Sequence, residues 1–241
     1  MNRSSKLSYL AIPLILAATF SLVYFGILAP GIIPSFWKQP IINQPFVDAK
    51  LKYQFVTLAI ALIVLTVTAL VSKQNAKTFY RLGTLNAVAQ PVKWLGIKPT
   101  DTWKTIGLNF AVIVSLVTGI FIYLNVAREQ TLQSEHIRYL PFILLLSLMN
   151  AFTEEAITRL GLVTALHGQV PASIIPVASA LLFAIPHYFG VPGGVIGSLM
   201  AGFLGWLLAK SILETKGFFW AWFLHFLQDV IIFTGLFLVA L

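Results

Sequence analysis

The chain contains no cysteine. A disulfide framework, a thiolate nucleophile and a Cys-ligated metal centre are therefore excluded. Charge is also scarce. Only 10% of the 241 residues are Asp, Glu, Lys or Arg, against about 25% in a soluble domain. So few charges cannot cover a water-soluble fold of this length, and a disordered chain would be polar and charge-rich. Acids are the scarcer sign, 8 against 16 Lys+Arg. Hydrophobic residues make up 58%. They run continuously instead of alternating, which argues against a transmembrane β-barrel. The pattern predicts an all-α, polytopic membrane bundle of about seven helices.

The predicted spans cover approximately Tyr9 to Ala29, Phe55 to Val71, Ile106 to Val126, Tyr139 towards His167, Ala172 to Phe189, Val195 to Ala209, and Phe218 to Leu241. The first follows Arg3 and Lys6. It is long for a signal-peptide core and has no convincing small-residue cleavage site, so it reads as a retained span. Between the second and third spans lie Lys73, Lys77, Arg81, Lys93, Lys98 and Lys104, offset by Asp101. Phe79, Tyr80, Trp94 and Trp103 are interleaved with them. Basic residues among aromatics can serve nucleic acid. Here they flank spans, as a loop on lipid headgroups requires, and no nucleic-acid partner is expected. Lys210, Glu214 and Lys216 mark the loop before the last span.

The Lys/Arg bias predicts that the N-terminus, the 73–104 loop and the 210–216 loop are cytoplasmic. Seven spans then put the C-terminus outside. Two parts are expected: residues 1–138, with spans and the basic loop, and residues 139–241, which hold the intramembrane charges.

Those charges are the informative residues. Glu154, Glu155 and Arg159 fall inside the fourth predicted span, His187 inside the fifth, and His225 and Asp229 inside the last. A charge at the bilayer centre costs about 2.5–3.5 kcal/mol on insertion scales, so pairing or a wet cavity must offset it. At about 1.5 Å per helical residue, Glu154 lies about 18 Å, His187 about 22 Å and His225 about 12 Å from the inner ends of their helices. One shared site near the midplane is the economical reading. Glu155 and Arg159 are four apart with the acid first, the good orientation for an ion pair. Glu154 is turned about 100° away from Glu155. This separates a structural clamp, Glu155–Arg159, from a working carboxylate, Glu154. His225 and Asp229 share a helix face, as do Phe183 and His187. Pro186 predicts a kink beside His187.

Taken one at a time, each motif also fits a purely structural role, such as an interhelical hydrogen bond. In chain order they are Glu154-Glu155-Ala156-Ile157-Thr158-Arg159, Phe183-Ala184-Ile185-Pro186-His187 and His225-Phe226-Leu227-Gln228-Asp229. This constellation resembles the CPBP family of CAAX proteases and bacteriocin-processing proteins, also called Abi, which includes the type II CAAX prenyl endopeptidases. The third motif ends in Asp229, where the well-studied prenyl endopeptidases carry Asn. The resemblance covers about residues 150–230. It implies an all-α intramembrane protease with a cavity in the bilayer and a membrane-associated or lipidated peptide or protein as substrate. Glu154 would activate water together with His187. His225 and Asp229 would stabilise the oxyanion, and Glu155, Arg159 and Phe183 would support the site.

Metal use stays open at this point. A glutamate protease needs no ion, but Glu154, His187, His225 and Asp229 also make a sound Zn²⁺ ligand set. Two rival functions remain. A proton-coupled transporter would use the same intramembrane Glu, His and Arg, although no inverted repeat is visible. A binding or immunity-type protein on the same fold would use them structurally.

Overall fold

The computed structural model describes residues 9–130, 134–191 and 193–240; Arg3 and Lys6 lie outside them. The described chain is helical, with isolated bridges in place of β-strands. Six helices are long and apolar enough to cross a membrane: α1 (Ala11–Leu28), α2 (Pro45–Val71), α3 (Trp103–Ala127), α4 (His136–Leu166), α6 (Gly194–Thr215) and α7 (Phe219–Ala240). Between α4 and α6 lies α5 (Ile174–His187), apolar but only 14 residues long. It rises about 21 Å, short of a hydrocarbon core of about 30 Å. The protein is an integral, multi-pass membrane bundle.

Two predicted loops are helix. α2 begins ten residues before the expected Phe55. Gln44 caps it by accepting from the Val47 amide, Pro45 opens the first turn, and Asp48 pairs with Lys52 one turn on, 2.7 Å away. α6 continues to Thr215 because Lys210 and Glu214 pair along the same helix instead of standing in a loop. The reading of 73–104 as a loop lying on headgroups also needs correction. Lys73–Phe79 is a short helix, and Phe79 and Trp103 are fully buried, while Trp94 stays exposed.

This segment folds over one end of the bundle. Phe218 N donates to Arg81 O (3.0 Å) and Thr84 N to Thr215 O (2.8 Å). Gly83 adopts φ +90°, and its backbone crosses that of Gly217 so closely that a Cβ on Gly217 would lie 2.2 Å from Gly83 N. No side-chain-bearing residue fits either position. Asn75 donates to Thr164 O and His167 O, both at 2.9 Å, and Tyr9 OH to Gln169 O at 3.2 Å. The start of α1, the 73–104 segment, the end of α4 and the α6–α7 turn therefore share one end, hereafter the basic end.

α5 and α6 form the most extensive helix pair in the bundle. Small residues permit it: a Cβ on Gly205 would sit 3.0 Å from both the Ala180 Cα and the Ser179 carbonyl. Close backbone approach through small residues is the usual basis of helix association in lipid. It sets Phe183 and His187 against the α4 and α7 residues described next.

Candidate active site

Along α4 the α-helix runs to Glu155 and then opens into a π-helical turn over Ala156–Gly161. Thr158 Oγ1 donates back to the Glu154 carbonyl at 2.7 Å, a local bond that competes with the regular ladder. Such wide turns recur at functional sites. Here one separates the Glu pair from the rest of the helix and carries Arg159. Arg159 and Glu155 are fully buried and joined as an ion pair. The Arg159 guanidinium also lies 3.9 Å from the Phe183 ring centre, a cation–π contact in a desolvated setting.

Glu155 has a second partner that spacing did not reveal. Its Oε1 sits 2.7 Å from His225 Nδ1. A carboxylate paired with Arg159 can only accept, so Nδ1 carries the proton. His225 thereby turns Nε2 towards Glu154 Oε2 at 3.7 Å and Asp229 Oδ1 at 3.6 Å. The group that sets the His225 tautomer is Glu155, and not its helix neighbour Asp229. His187 is held in the same manner: Nδ1 bonds the Phe183 carbonyl at 2.7 Å, which leaves Nε2 as an acceptor in the neutral ring. The Phe183 ring lies 4.2 Å from that of His187 and 5.5 Å, edge-on, from that of His225. The expected kink at Pro186 takes the form of an ending, because α5 stops one residue later.

Glu154 and Asp229 are linked through Asn150. Its amide nitrogen donates to Glu154 Oε1 at 3.0 Å and to Asp229 Oδ2 at 3.1 Å. Its oxygen accepts from Gln54 Nε2 at 2.9 Å, a bond that crosses from α2. Asn150 thus has each end of its amide assigned, and only one flip satisfies all three bonds. Sequence reasoning missed both amides as site residues. Asn150 stands one turn before Glu154, where an amide can reach a carboxylate. Gln54 lies in what read as a loop before the second span, and nothing in its neighbours points to α4.

Glu154, Asn150, Gln54, Phe183, His187, His225 and Asp229 all line one cavity of about 310 Å³. Its remaining wall is largely apolar, from Leu22 and Val23 of α1 to Ile232 and Leu236 of α7. Gln54 Oε1 and Gln228 Oε1 are buried without a hydrogen-bond partner among the described residues, and both side chains line the cavity. Unpaired buried acceptors are costly and call for a donor. The α4, α5 and α7 motifs, far apart in the chain, therefore meet at one place.

The chemistry available is acid–base. Glu154 offers a carboxylate oxygen on the cavity wall, His187 an acceptor nitrogen, and His225 a nitrogen that donates when the ring is protonated. No group of three His, Asp or Glu side chains converges as a metal-ligand set among the described residues. The Nδ1 atoms of His187 and His225 are held by the Phe183 carbonyl and by Glu155, which leaves Nε2 of each ring available, the arrangement in which an imidazole also ligates an ion.

Residues 136–231 match the model of a protein family described as type II CAAX prenyl endopeptidase Rce1-like. No curated protein and no solved structure matches the chain.

Proposed function

We propose, from the match of residues 136–231 to the Rce1-like family, that the protein is an intramembrane endopeptidase whose reacting groups are Glu154, His187 and His225. The observation that carries the reading is the cavity itself. Two carboxylates, Glu154 and Asp229, and two imidazoles, His187 and His225, each with a fixed partner, line one largely apolar enclosure.

Water enters between Glu154 and His187. Glu154 takes its proton as general base, and His187 Nε2 accepts the second O–H and so orients the nucleophile. The oxygen adds to the scissile carbonyl, whose developing negative charge takes a hydrogen bond from Nε2–H of a protonated His225. Collapse breaks the C–N bond, and the proton held by Glu154 passes to the leaving amine. Asp229 cannot donate to the oxyanion as a carboxylate. It holds one side of the Asn150 amide and flanks His225, and so acts on the site indirectly. Glu155 and Arg159 fix the His225 ring from behind. The apolar wall suits a membrane-associated substrate, lipidated or spanning.

The test is a comparison of new protein N-termini in membranes from cells carrying the wild type or Glu154→Gln. The wild type generates termini that the variant lacks. Full retention of those termini by Glu154→Gln removes Glu154 as the base.

A further inference from the structure

The cavity reaches from the middle of the bundle to the end remote from the basic one. α4 and α7 contribute to it from their middles, through Asn150, Glu154 and Thr158 and through His225 to Leu236, while the other helices do so from positions nearer the end remote from the basic one. α1 lines it through residues 19–27 and α2 through residues 49–54, which are its first turns from the opposite end. α6 does so through residues 197–204, near its start at Gly194. Pro30, Gly190 and Val191, from turns at the far end, complete the rim. α5 ends at His187 on the cavity wall, and the turn that follows it supplies Gly190 and Val191 to the rim.

The basic end is closed. Phe79 and Trp103 are fully buried there. Glu214 accepts from Gln90 N (3.1 Å) and Trp103 Nε1 (2.8 Å) and pairs with Lys210, which also donates to Gln90 O at 3.0 Å. Each charged atom in this group has a partner, and the 73–104 segment is tied down across the bundle. A polypeptide arriving from this end meets packed side chains before it reaches Glu154.

Charge then relates the two ends to the membrane. Lys73, Lys77, Arg81, Lys93, Lys98 and Lys216 all belong to the closed end, with Asp101 as the acid among them. At the other end stand Lys38, Lys50, Lys52, Arg128 and Arg138, with Asp48, Glu129 and Glu135 among them, so Lys and Arg are fewer there and acids more numerous. Lys and Arg excess in short loops marks the cytoplasmic side.

We propose that the cavity opens away from the cytoplasm, and that its substrate is a polypeptide segment presented on the extracytoplasmic side or within the outer half of the bilayer. The sidedness follows from cavity and charge alone; the word substrate rests on the proteolytic reading above. The lipidated tail of a cytoplasmic protein is the substrate this geometry disfavours, because it would start at the closed end.

The absence of native cysteine makes the test clean. Val191→Cys places one thiol at the exposed rim, and Lys98→Cys places one on an exposed loop of the basic end. Each variant is treated with a membrane-impermeant maleimide in sealed vesicles whose cytoplasmic side faces inward. Labelling in detergent serves as the measure of total protein. Val191→Cys is expected to label in sealed vesicles to nearly its detergent level, and Lys98→Cys only after detergent is added. Any other pattern overturns the sidedness. The cleavage sites that depend on Glu154 supply the second arm. Sites in extracytoplasmic or outer-half segments support the substrate class, and sites in cytoplasmic segments overturn it. If labelling runs as expected but no cleavage depends on Glu154, the proteolytic reading fails while the sidedness stands.

Discussion

Two acid–base clusters in this bundle look alike in the sequence and differ in kind. At the basic end Lys210 and Glu214 are four apart on α6; at the centre Glu155 and Arg159 are four apart on α4. Both pairs are made. In the first, Glu214 and Lys210 are saturated by Trp103 and Gln90. In the second, Glu155 Oε2, Arg159 Nε and Arg159 Nη2 are buried without a hydrogen-bond partner among the described residues, and a cavity adjoins Glu154 next door. A helical ion pair is thus no signal of function by itself. What marks the working cluster is polarity in excess of its partners, set beside open space.

The contrast predicts opposite outcomes for two conservative changes. Glu154→Gln cuts hydrolysis by about 10²–10⁴-fold, the usual contribution of a positioned base. Glu214→Gln leaves hydrolysis at the wild-type level. Equal losses in a cleavage assay would erase the distinction between the clusters.

Stability should separate the same clusters. Arg159→Leu strands Glu155 in a fully buried site and costs about 3–5 kcal/mol. Lys210→Met leaves Glu214 with its Trp103 and Gln90 donors and costs about 1.5–3 kcal/mol. Thermal or denaturant unfolding in detergent reads both, and the order of the two is the critical result.

Gln54→Leu sharpens the comparison at the centre. It removes the donor that sets the Asn150 flip, worth about 1 kcal/mol, so kcat falls about fivefold with KM unchanged. A variant with full kcat would show that Glu154 and Asn150 hold their geometry without α2.

The smallest effect belongs to the basic end. His167 lies beyond the end of α4, and burial, with Lys216 nearby, lowers its pKa from the ordinary value of 6.5. The unfolded chain then binds more protons than the folded one just below that pH. Stability is full above about pH 6.5 and declines as the pH falls below it. His167→Gln should flatten this acid limb in melting curves taken across that range.

Much of the site was legible because its signals are local or costly. Glu155–Arg159, Phe183–His187 and His225–Asp229 are each one helical turn apart, and charge inside an apolar run is rare enough to demand a reason. Estimated depths brought the three helices to a common level, and the cavity lies where they meet. The span count was less well defined, since α5 is shorter than a bilayer and only its partner α6 tells why it stays in place. The early start of α2 was hidden by Asp48, Lys50 and Lys52, which read as loop until Asp48 and Lys52 pair.

By itself the sequence determined the solvent, the helical class, the excess of basic charge on one set of loops, and the intramembrane polar residues that the fold brings to one cavity. These follow from hydropathy and from spacing within a single helix, both of which are properties of neighbours in the chain. The tertiary structure alone decided which partner each reacting group takes. Glu155 reaches His225 on α7, and Gln54 reaches Asn150 from α2. It also decided that the cavity extends from the centre of the bundle towards the end opposite the basic loops. Such contacts depend on how separate helices pack against one another, and a one-dimensional pattern carries no term for that.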